Sequence, residues 1–252
     1  MASGRRAGGS LRISETPACA IRLEHVRFAW RSGGPEVIDI ERFEVARGER
    51  LFIAGPSGSG KSTLLSLLGG VITAREGLLQ VLDTDLAKIS GWRRDRFRAD
   101  HLGYVFQMFN LVPYLSVVDN VTLPCRFSHR RRKRAEARAS SVEMDALRLL
   151  GDLELEGPEL LSRSVIDLSI GQQQRVAVAR ALIGSPEIVI ADEPTSALDE
   201  GTRERFLELL FGECDVQGAT LLFVSHDLRI GEMFDRRVSI QEFNRASRVA
   251  GG

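Results

Sequence analysis

The sequence predicts an α/β fold with a mostly parallel core sheet, an N-terminal antiparallel β subdomain and an inserted α-helical subdomain. Three patterns support this prediction: two early segments of alternating apolar residues, an apolar run that leads through a glycine-rich loop into a helix, and two later apolar runs separated by helical spacing. Alternation is typical of half-buried antiparallel strands, whereas short apolar strands that alternate with helices are typical of a parallel sheet.

Length and charge narrow the class of protein. A chain of 252 residues is long enough for one large domain, or for a core with one inserted subdomain. Lys plus Arg and Asp plus Glu both number 34, so the formal net charge is zero. This balance gives no general attraction to nucleic acid or to an acidic membrane surface. We therefore expect no nucleic-acid binding. No apolar run approaches the roughly 20 residues that span a bilayer, so we also expect no direct membrane insertion.

The first strands follow an N-terminal extension. Residues 1–20 contain arginines but no apolar stretch, so we expect a flexible segment rather than a secretory signal. One domain is expected over 21–246, with a C-terminal tail over 247–252. It opens with IRLEHVRFAW and VIDIERFEV, which have the alternation of antiparallel strands. The apolar strand RLFIAG then leads into a Gly/Ser loop and the helix STLLSLLGGV.

The second half of the core is interrupted by a segment of different character. EIVIADEP and TLLFVSHD are apolar runs too short for helices, and EGTRERFLELLFGEC between them has helical spacing. The segment from about 109 to 164 is charged and mostly helical in pattern, so we interpret it as a helical subdomain between a strand ending at Gln107 and the helix after Gly171. Its basic run HRRRKR, 129–134, is interpreted as a solvated helix end or loop, with a lipid- or nucleic-acid-binding patch as the less favoured alternative.

A phosphate-binding loop is the strongest motif. GPSGSGKST matches the pattern G-x-x-x-x-G-K-[ST] between a strand and a helix. Its glycines let backbone N–H groups surround a phosphate where a Cβ would interfere. The Lys61 ammonium can reach the β- and γ-phosphates, and the Ser62 hydroxyl is a Mg²⁺ ligand. We therefore expect a P-loop NTPase whose nucleotide contacts are Gly55, Pro56, Ser57, Gly58, Ser59, Gly60, Lys61, Ser62 and Thr63.

Two adjacent acids predict the catalytic side of the site. Asp192 ends an apolar strand in IVIADEPTSALD, where its carboxylate can hold Mg²⁺, commonly through water. Glu193 follows it and would point to the opposite side of the strand end, towards the γ-phosphate. Two acids at a strand terminus favour a hydrolase with its own general base, so we expect Glu193 to fill that role rather than to be a surface acid.

Three further residues have both a structural and a functional interpretation. His226 ends another apolar strand, where sensing of the γ-phosphate is more plausible than simple packing. Gln107 ends a strand as well and offers a neutral oxygen to Mg²⁺ or to the attacking water. Trp30 is either a packed or edge aromatic or a stacking platform for a purine. The chain has no N/T-K-x-D guanine-reading tetrad, so ATP is favoured over GTP.

A second helix start, DLSIGQQQR, poses a separate question. In the simpler interpretation Ser169 caps the helix, Gly171 relaxes the turn and the apolar face packs inward. Yet a helix N-terminus also suits an anion, and Lys61 and Ser62 already satisfy one nucleotide's phosphates. The alternative is that this helix end meets the γ-phosphate of a nucleotide held by a second copy.

The motifs together resemble those of the ATP-binding-cassette ATPases. GPSGSGKST, Gln107, LSIGQ, IVIADEP, SALD and VSHD occur in the order and spacing of that family, over roughly 21–243. The chain looks most similar to the small bacterial cassettes of lipoprotein-release, macrolide-export and cell-division systems, mainly through LGYVFQMFNLVPYLSVVDNVTLPC. One departure is Ile170, where the commonest family form has glycine. Its side chain can point away from the phosphate, so we expect the site to remain competent.

The resemblance implies a head-to-tail homodimer that sandwiches two ATP molecules. Each site would join the phosphate loop of one protomer to Ser169, Gly171 and Gln172 of the other. A groove around 109–118 would receive a short helix from a separately encoded integral membrane permease, at the cytoplasmic face of the bacterial inner membrane. The residue roles that the resemblance implies are adenine stacking by Trp30, a coupling-loop glutamine at Gln107, the base at Glu193, a switch histidine at His226 and a dimer-interface contact by Asp199.

The leading functional hypothesis is therefore the ATP-hydrolysing subunit of a bacterial transporter, with ATP and Mg²⁺ as cofactors. A cassette that transports nothing and regulates a membrane complex, as in cell division, is the alternative. A soluble DNA-repair or translation ATPase is disfavoured, because the interval from Lys61 to Ser169 has no sustained heptads and only one phosphate loop is present.

Overall fold

The computed structural model describes residues 19–155, 157, 163–196, 198 and 200–249. The strands of these ranges are β1 (Cys19–Phe28), β2 (Ile38–Ala46), β3 (Arg50–Ala54), β4 (Glu76–Val81), β5 (Thr84–Asp85), β6 (Leu102–Val105), β7 (Ile188–Asp192), β8 (Thr220–Ser225) and β9 (Arg236–Ser239). The helices are α1 (Lys61–Leu68), α2 (Gly91–His101), α3 (Val117–Phe127), α4 (His129–Ala139), α5 (Val142–Asp152), α6 (Ile170–Leu182), α7 (Glu200–Gln217), α8 (Ile240–Phe243) and α9 (Ala246–Val249). Two 3₁₀ turns complete the described structure, at Val165–Asp167 and Leu228–Met233.

The antiparallel sheet has the strand order β2-β1-β4-β5. β1 pairs antiparallel with β2, with Leu23 opposite Phe43 and Val26 opposite Ile40, and all four side chains are buried. The alternation in the sequence therefore predicted these two strands correctly. β4 and β5 were not predicted, because β5 is only two residues long and β4 lacks a regular apolar alternation.

The parallel sheet has the order β6-β7-β8-β3-β9, and the strands predicted at β3, β7 and β8 are confirmed. On β3, Phe52 joins the core shared with the helical subdomain, while Leu51 and Ile53 join the core shared with the antiparallel sheet. A strand buried on both faces has a continuous apolar run instead of alternation. Each such side chain stabilises the fold by about 1.5–3 kcal/mol. The predicted fold class is thus confirmed.

One strand end differs from the prediction. β6 ends at Val105, so Gln107 lies in the following loop rather than on the strand itself. The reason is that, among the described strands, β6 pairs only with β7, and its last paired residue is Val105, opposite Ala191. Beyond that point the chain leaves the sheet and continues towards α3.

Both ends of the folded region extend past the predicted limits of 21 and 246. β1 begins at Cys19, because that residue still pairs with Ala46 of β2. At the other end α9 reaches Val249, and Ser247 Oγ donates a 2.7 Å hydrogen bond to Asn244 O. None of the described helices combines the length and the apolar character needed to cross a membrane.

The basic run HRRRKR forms the first half of α4, and its interpretation as a solvated helix end holds for four of its six residues, which are exposed, but not for Arg131 and Arg134. Arg131 is almost fully buried and donates to Ala181 O at 2.6 Å and Ile183 O at 2.7 Å. These carbonyls lie at the C-terminal end of α6, where the helix lacks internal acceptor partners and its dipole favours a cation. Arg130 and Arg134 donate to Glu187 at 2.6 and 2.7 Å. The run therefore joins the helical subdomain to the core.

Candidate active site

The phosphate loop connects β3 to α1. Gly60 caps α1 with φ 97°, a left-handed conformation that favours glycine, and a Cβ there would lie 3.0 Å from Val37 O. The N–H groups of the first helical turn have no acceptor within the helix. They point from the positive end of the helix dipole, which makes this loop an anion-binding site.

Lys61 places its charge across the same loop. Its Nζ donates to Gly55 O at 2.7 Å and to Pro56 O at 2.9 Å. Ser59 closes the turn below it, because its Oγ donates to Pro56 O at 2.8 Å. The ammonium and the free N–H groups therefore face one concave backbone, which suits a polyphosphate.

Asn244, which belongs to no recognisable sequence motif, also supports this loop. Asn244 is fully buried, its Oδ1 accepts from Asp39 N at 2.8 Å, and its Nδ2 donates to Val37 O at 2.9 Å. The same Nδ2 makes a longer contact of 3.4 Å to Ser59 O, across 185 residues of sequence. The Asn244 amide thus connects the phosphate loop to the antiparallel sheet, and no local sequence motif indicates this role.

Asp192 ends β7 next to the phosphate loop. Burial raises the pKa of its carboxyl, the neighbouring Glu193 charge raises it further, and Lys61 partly opposes both. Asp192 and Ser62 line the same cavity of about 610 Å³. A carboxylate and a hydroxyl are hard oxygen donors of the kind that Mg²⁺ prefers. In the described part of the chain, no group of three or more His, Cys, Asp or Glu side chains is placed to hold a metal by itself.

Glu193 and His226 meet at the carboxyl ends of neighbouring strands. His226 Nδ1 lies 2.8 Å from Glu193 Oε2, and since an ionised carboxylate can only accept, Nδ1 is the donor. Glu193 has φ 49°, an uncommon left-handed conformation for a residue with a side chain. Its N–H is held by Val224 O at 2.9 Å. The Glu193 side chain is 14% exposed and that of His226 69%, so the pair lies at the surface edge of the sheet.

The helix start at Ser169 is a complete capping box. Ser169 Oγ accepts from Gln172 N at 3.3 Å, and Gln172 Oε1 accepts from Ser169 N at 2.9 Å. Ile170 is 55% exposed, and a Cβ on Gly171 would meet nothing within 4 Å. The cavity beside Ser169 also includes Leu198 but no residue of the phosphate loop. The structure therefore does not bring the two phosphate-binding candidates together within one chain.

Comparison with known proteins decides the family. The ABC transporter family profile matches 39–196 of the chain. The lipoprotein-releasing system ATP-binding protein LolD of Novosphingobium aromaticivorans is 40% identical over 225 residues, which cover 88% of this chain and 96% of that protein. LolD of Granulibacter bethesdensis is 38% identical over 232 residues, which cover 91% and 97%.

The chain belongs to the ABC transporter family. A solved dimeric structure of the cassette MJ0796, a Methanocaldococcus jannaschii protein, in a post-hydrolysis state with ADP and Pi, superposes with a TM-score of 0.76 at 33% identity. The match covers 90% of this chain and 95% of that one. The protein is accordingly the ATP-binding and ATP-hydrolysing subunit of an ABC transporter.

The remaining predicted contacts of this ABC cassette are Trp30, Gln107 and Asp199. Trp30 is 63% exposed, and its ring stands at 86° to Phe28 with centroids 5.1 Å apart, which excludes the interpretation as core packing. Gln107 is exposed in the loop after β6. Its neighbours Phe106 and Asn110 line the cavity shared by Ser62 and Asp192. Asp199 lies outside the described residues.

Proposed function

We propose that Glu193 is the general base for ATP hydrolysis and that His226 positions it. The observation that supports this most directly is the 2.8 Å contact between the two side chains at the ends of β7 and β8. Glu193 would take a proton from water, and the γ-phosphoryl group would pass to that water's oxygen, leaving ADP and inorganic phosphate. The His226 bond to Oε2 leaves Oε1 to accept the proton.

The phosphate loop would hold the substrate for this step. Backbone N–H groups of the loop and of the first turn of α1, together with the Lys61 ammonium, would stabilise the charge of the β- and γ-phosphates, while Trp30 offers an exposed ring face for the adenine. The oxygen donors of Ser62, Asp192 and Gln107 suit Mg²⁺, which when bound would neutralise charge on the phosphates. Because burial and Glu193 both disfavour the ionised form of Asp192, a nearby cation would relieve that cost.

A second copy of the chain would complete the site. Ser169 and the phosphate loop line separate cavities in one protomer, which supports a head-to-tail pair in which both contact one ATP. In that arrangement the Ser169 hydroxyl can donate to a γ-phosphate while its oxygen still accepts from Gln172. Gly171 has open space above it for the approach. The predicted role of Asp199 at this interface stays a prediction.

The permease contact is proposed beside the Gln107 loop, in the same cavity that Ser62 and Asp192 line. Val71, Phe106 and Phe127 line it and expose large apolar surfaces. Exposed apolar surface of this kind marks protein contact sites. A short helix of a separately encoded membrane permease would bind here, which would keep the cassette on the cytoplasmic face of the bacterial inner membrane. Since relatives of 40% and 38% identity are named for lipoprotein-releasing systems, we propose a permease of that type.

The composite site can be tested by mixing two inactive variants. E193Q removes the base, and S169D keeps a capping side chain while placing a negative charge against the partner's phosphate. In a head-to-tail dimer one site of the mixed pair has neither change, so mixing the variants before ATP is added should restore phosphate release that neither shows alone. A mixture as inactive as its components would contradict the composite site. Co-purification from membranes, followed by identification of the bound permease, tests the partner.

A further inference from the structure

Arg180, a buried arginine outside the proposed catalytic group, is hydrogen-bonded to the loop that contains Gln107. Arg180 Nη1 donates to Asn110 O at 2.6 Å, and Arg180 Nη2 donates to Phe109 O at 2.5 Å. Arg180 is 9% exposed. Among the described residues, no carboxylate is hydrogen-bonded to it, and burial lowers the pKa of the guanidinium. Burying a charge that is hydrogen-bonded only to carbonyl groups costs free energy, so packing alone does not account for an arginine at this position.

The backbone conformation of this loop requires stabilising contacts. Phe109 has φ 57° and Asn110 has φ 49°, two consecutive left-handed residues that both have side chains. Phe109 is buried in the core shared with the helical subdomain. The planar fork of an arginine can bind both carbonyls at once, whereas a lysine presents a single point of charge. The guanidinium therefore fixes the turn that follows Gln107 to the side of α6.

The same helix ends near the partner's nucleotide in the proposed dimer. Ser169 caps α6 at its N-terminus, and Arg180 lies in its last turn. The C-terminal end of α6 is held in turn by Arg131 of α4, through Ala181 O and Ile183 O. A helix of this length spans about 20 Å as one rigid element. It therefore connects the Gln107 loop, which lies beside the chain's own nucleotide, to Ser169.

We propose that Arg180 is a positioning residue that couples the Gln107 loop to Ser169 through α6. A shift of the loop at one nucleotide would move Ser169 at the other, so the two sites of a dimer would not act independently. This inference rests on the proposed function, because both the role of Gln107 and the dimer belong to it.

The test uses the full chain with Arg180→Met, and Arg134→Met as the matched control. Arg134 is also a partly buried arginine, but it donates to Ser185 O and Glu187, away from the loop. Amide exchange measured by mass spectrometry over 106–112 should rise about tenfold in R180M and stay at the wild-type rate in R134M. ADP affinity of the monomer should stay unchanged in both. In R180M kcat should fall about tenfold. The ATP dependence, which the proposed coupling predicts to be sigmoidal in the wild type, should become hyperbolic in R180M.

Arg180→Lys provides the second variant if R180M does not fold, because it keeps the charge but places its donors on a single nitrogen. It should show intermediate loop exchange and an intermediate kcat. Unchanged exchange over 106–112 would overturn the positioning role. Raised exchange with wild-type kcat and sigmoidicity, or equal loss of kcat in R180M and R134M, would overturn the coupling. A fully active E193Q protein would instead refute the proposed function and leave the loop result standing.

Discussion

His226 Nδ1 donates to Glu193 Oε2 across the ends of two neighbouring parallel strands, 33 residues apart in sequence. Asp192, the residue before Glu193, pairs with Val224, two residues before His226. The sheet thus brings the proposed metal ligand Asp192, the proposed base Glu193 and His226 to one edge, which is where ligands bind in open α/β sheets. This relationship leads to the first two predictions.

Glu193→Gln should bind ATP and form a stable dimer but hydrolyse it very slowly. The amide keeps the size of the side chain and loses the ability to accept a proton, so kcat should fall roughly 10²–10⁴-fold. Phosphate release and size-exclusion chromatography with ATP measure the two effects. Glu208→Gln, at an exposed carboxylate on α7, is the control and should leave both unchanged. Near-normal turnover by E193Q would refute the assignment of the base.

His226→Ala should lower kcat by about 10–100-fold without weakening ATP binding, because the base loses its orienting bond. The double variant E193Q/H226A should be no slower than E193Q alone, since the two residues act as one unit. Single-turnover hydrolysis measures both effects, with the exposed His129→Ala as control. Additive losses in the double variant would show that His226 acts independently of Glu193.

Asn244→Ala should weaken nucleotide binding, although Asn244 has no place in the phosphate-loop motif. Removing the amide leaves Asp39 N and Val37 O without their partner, at a cost of about 1–3 kcal/mol, and loosens the loop near Ser59. Asn244→Asp should be worse, because it places a carboxylate against two carbonyls and near the phosphates. Calorimetric titration with ADP measures the affinity. The exposed neighbour variant Arg245→Ala is the control; equal affinity in all three would rule out this role.

Glu187→Gln should lower stability at neutral pH by about 1.5–3 kcal/mol, the value of hydrogen bonds to a charged group. Burial raises the pKa of Glu187, but bonds from His101, Arg134 and Arg130 outweigh it and hold the pKa well below its ordinary value of 4.5. A carboxyl whose pKa is lower in the folded state stabilises fully above the unfolded pKa and loses that contribution as the pH falls. The difference in melting temperature between wild type and E187Q should therefore be constant above about pH 5.5 and shrink below pH 4.5.

A pH-independent difference for E187Q would contradict a stabilising role of the ion pairs between Glu187 and the α4 residues Arg130 and Arg134. The exposed Glu136→Gln, on the same helix, is the matched control and should melt like the wild type at every pH.

Several features of the protein follow from short stretches of sequence. The strand–loop–helix unit at 50–68 and the Ser169–Gln172 capping box depend on hydrogen bonds and torsions within a few residues. Burial on one or both faces imposes its period directly on the apolar residues of β1, β2, β7 and β8. For these elements the local energies and the final fold agree, so the pattern alone predicted the strands and the phosphate loop, whereas the family followed from the resemblance of the motifs.

Other features were decided only by the tertiary structure. The basic run at 129–134 is indistinguishable from a solvated helix by composition, but distant partners anchor it to the core. Glu187, the residue before β7, accepts from Arg130, and Ile183 O at the end of α6 accepts from Arg131. Asn244 and Arg180 likewise act through partners 185 and 70 residues away. Their hydrogen bonds depend on how segments that are far apart in the sequence pack together, and neither local periodicity nor residue propensity contains that information.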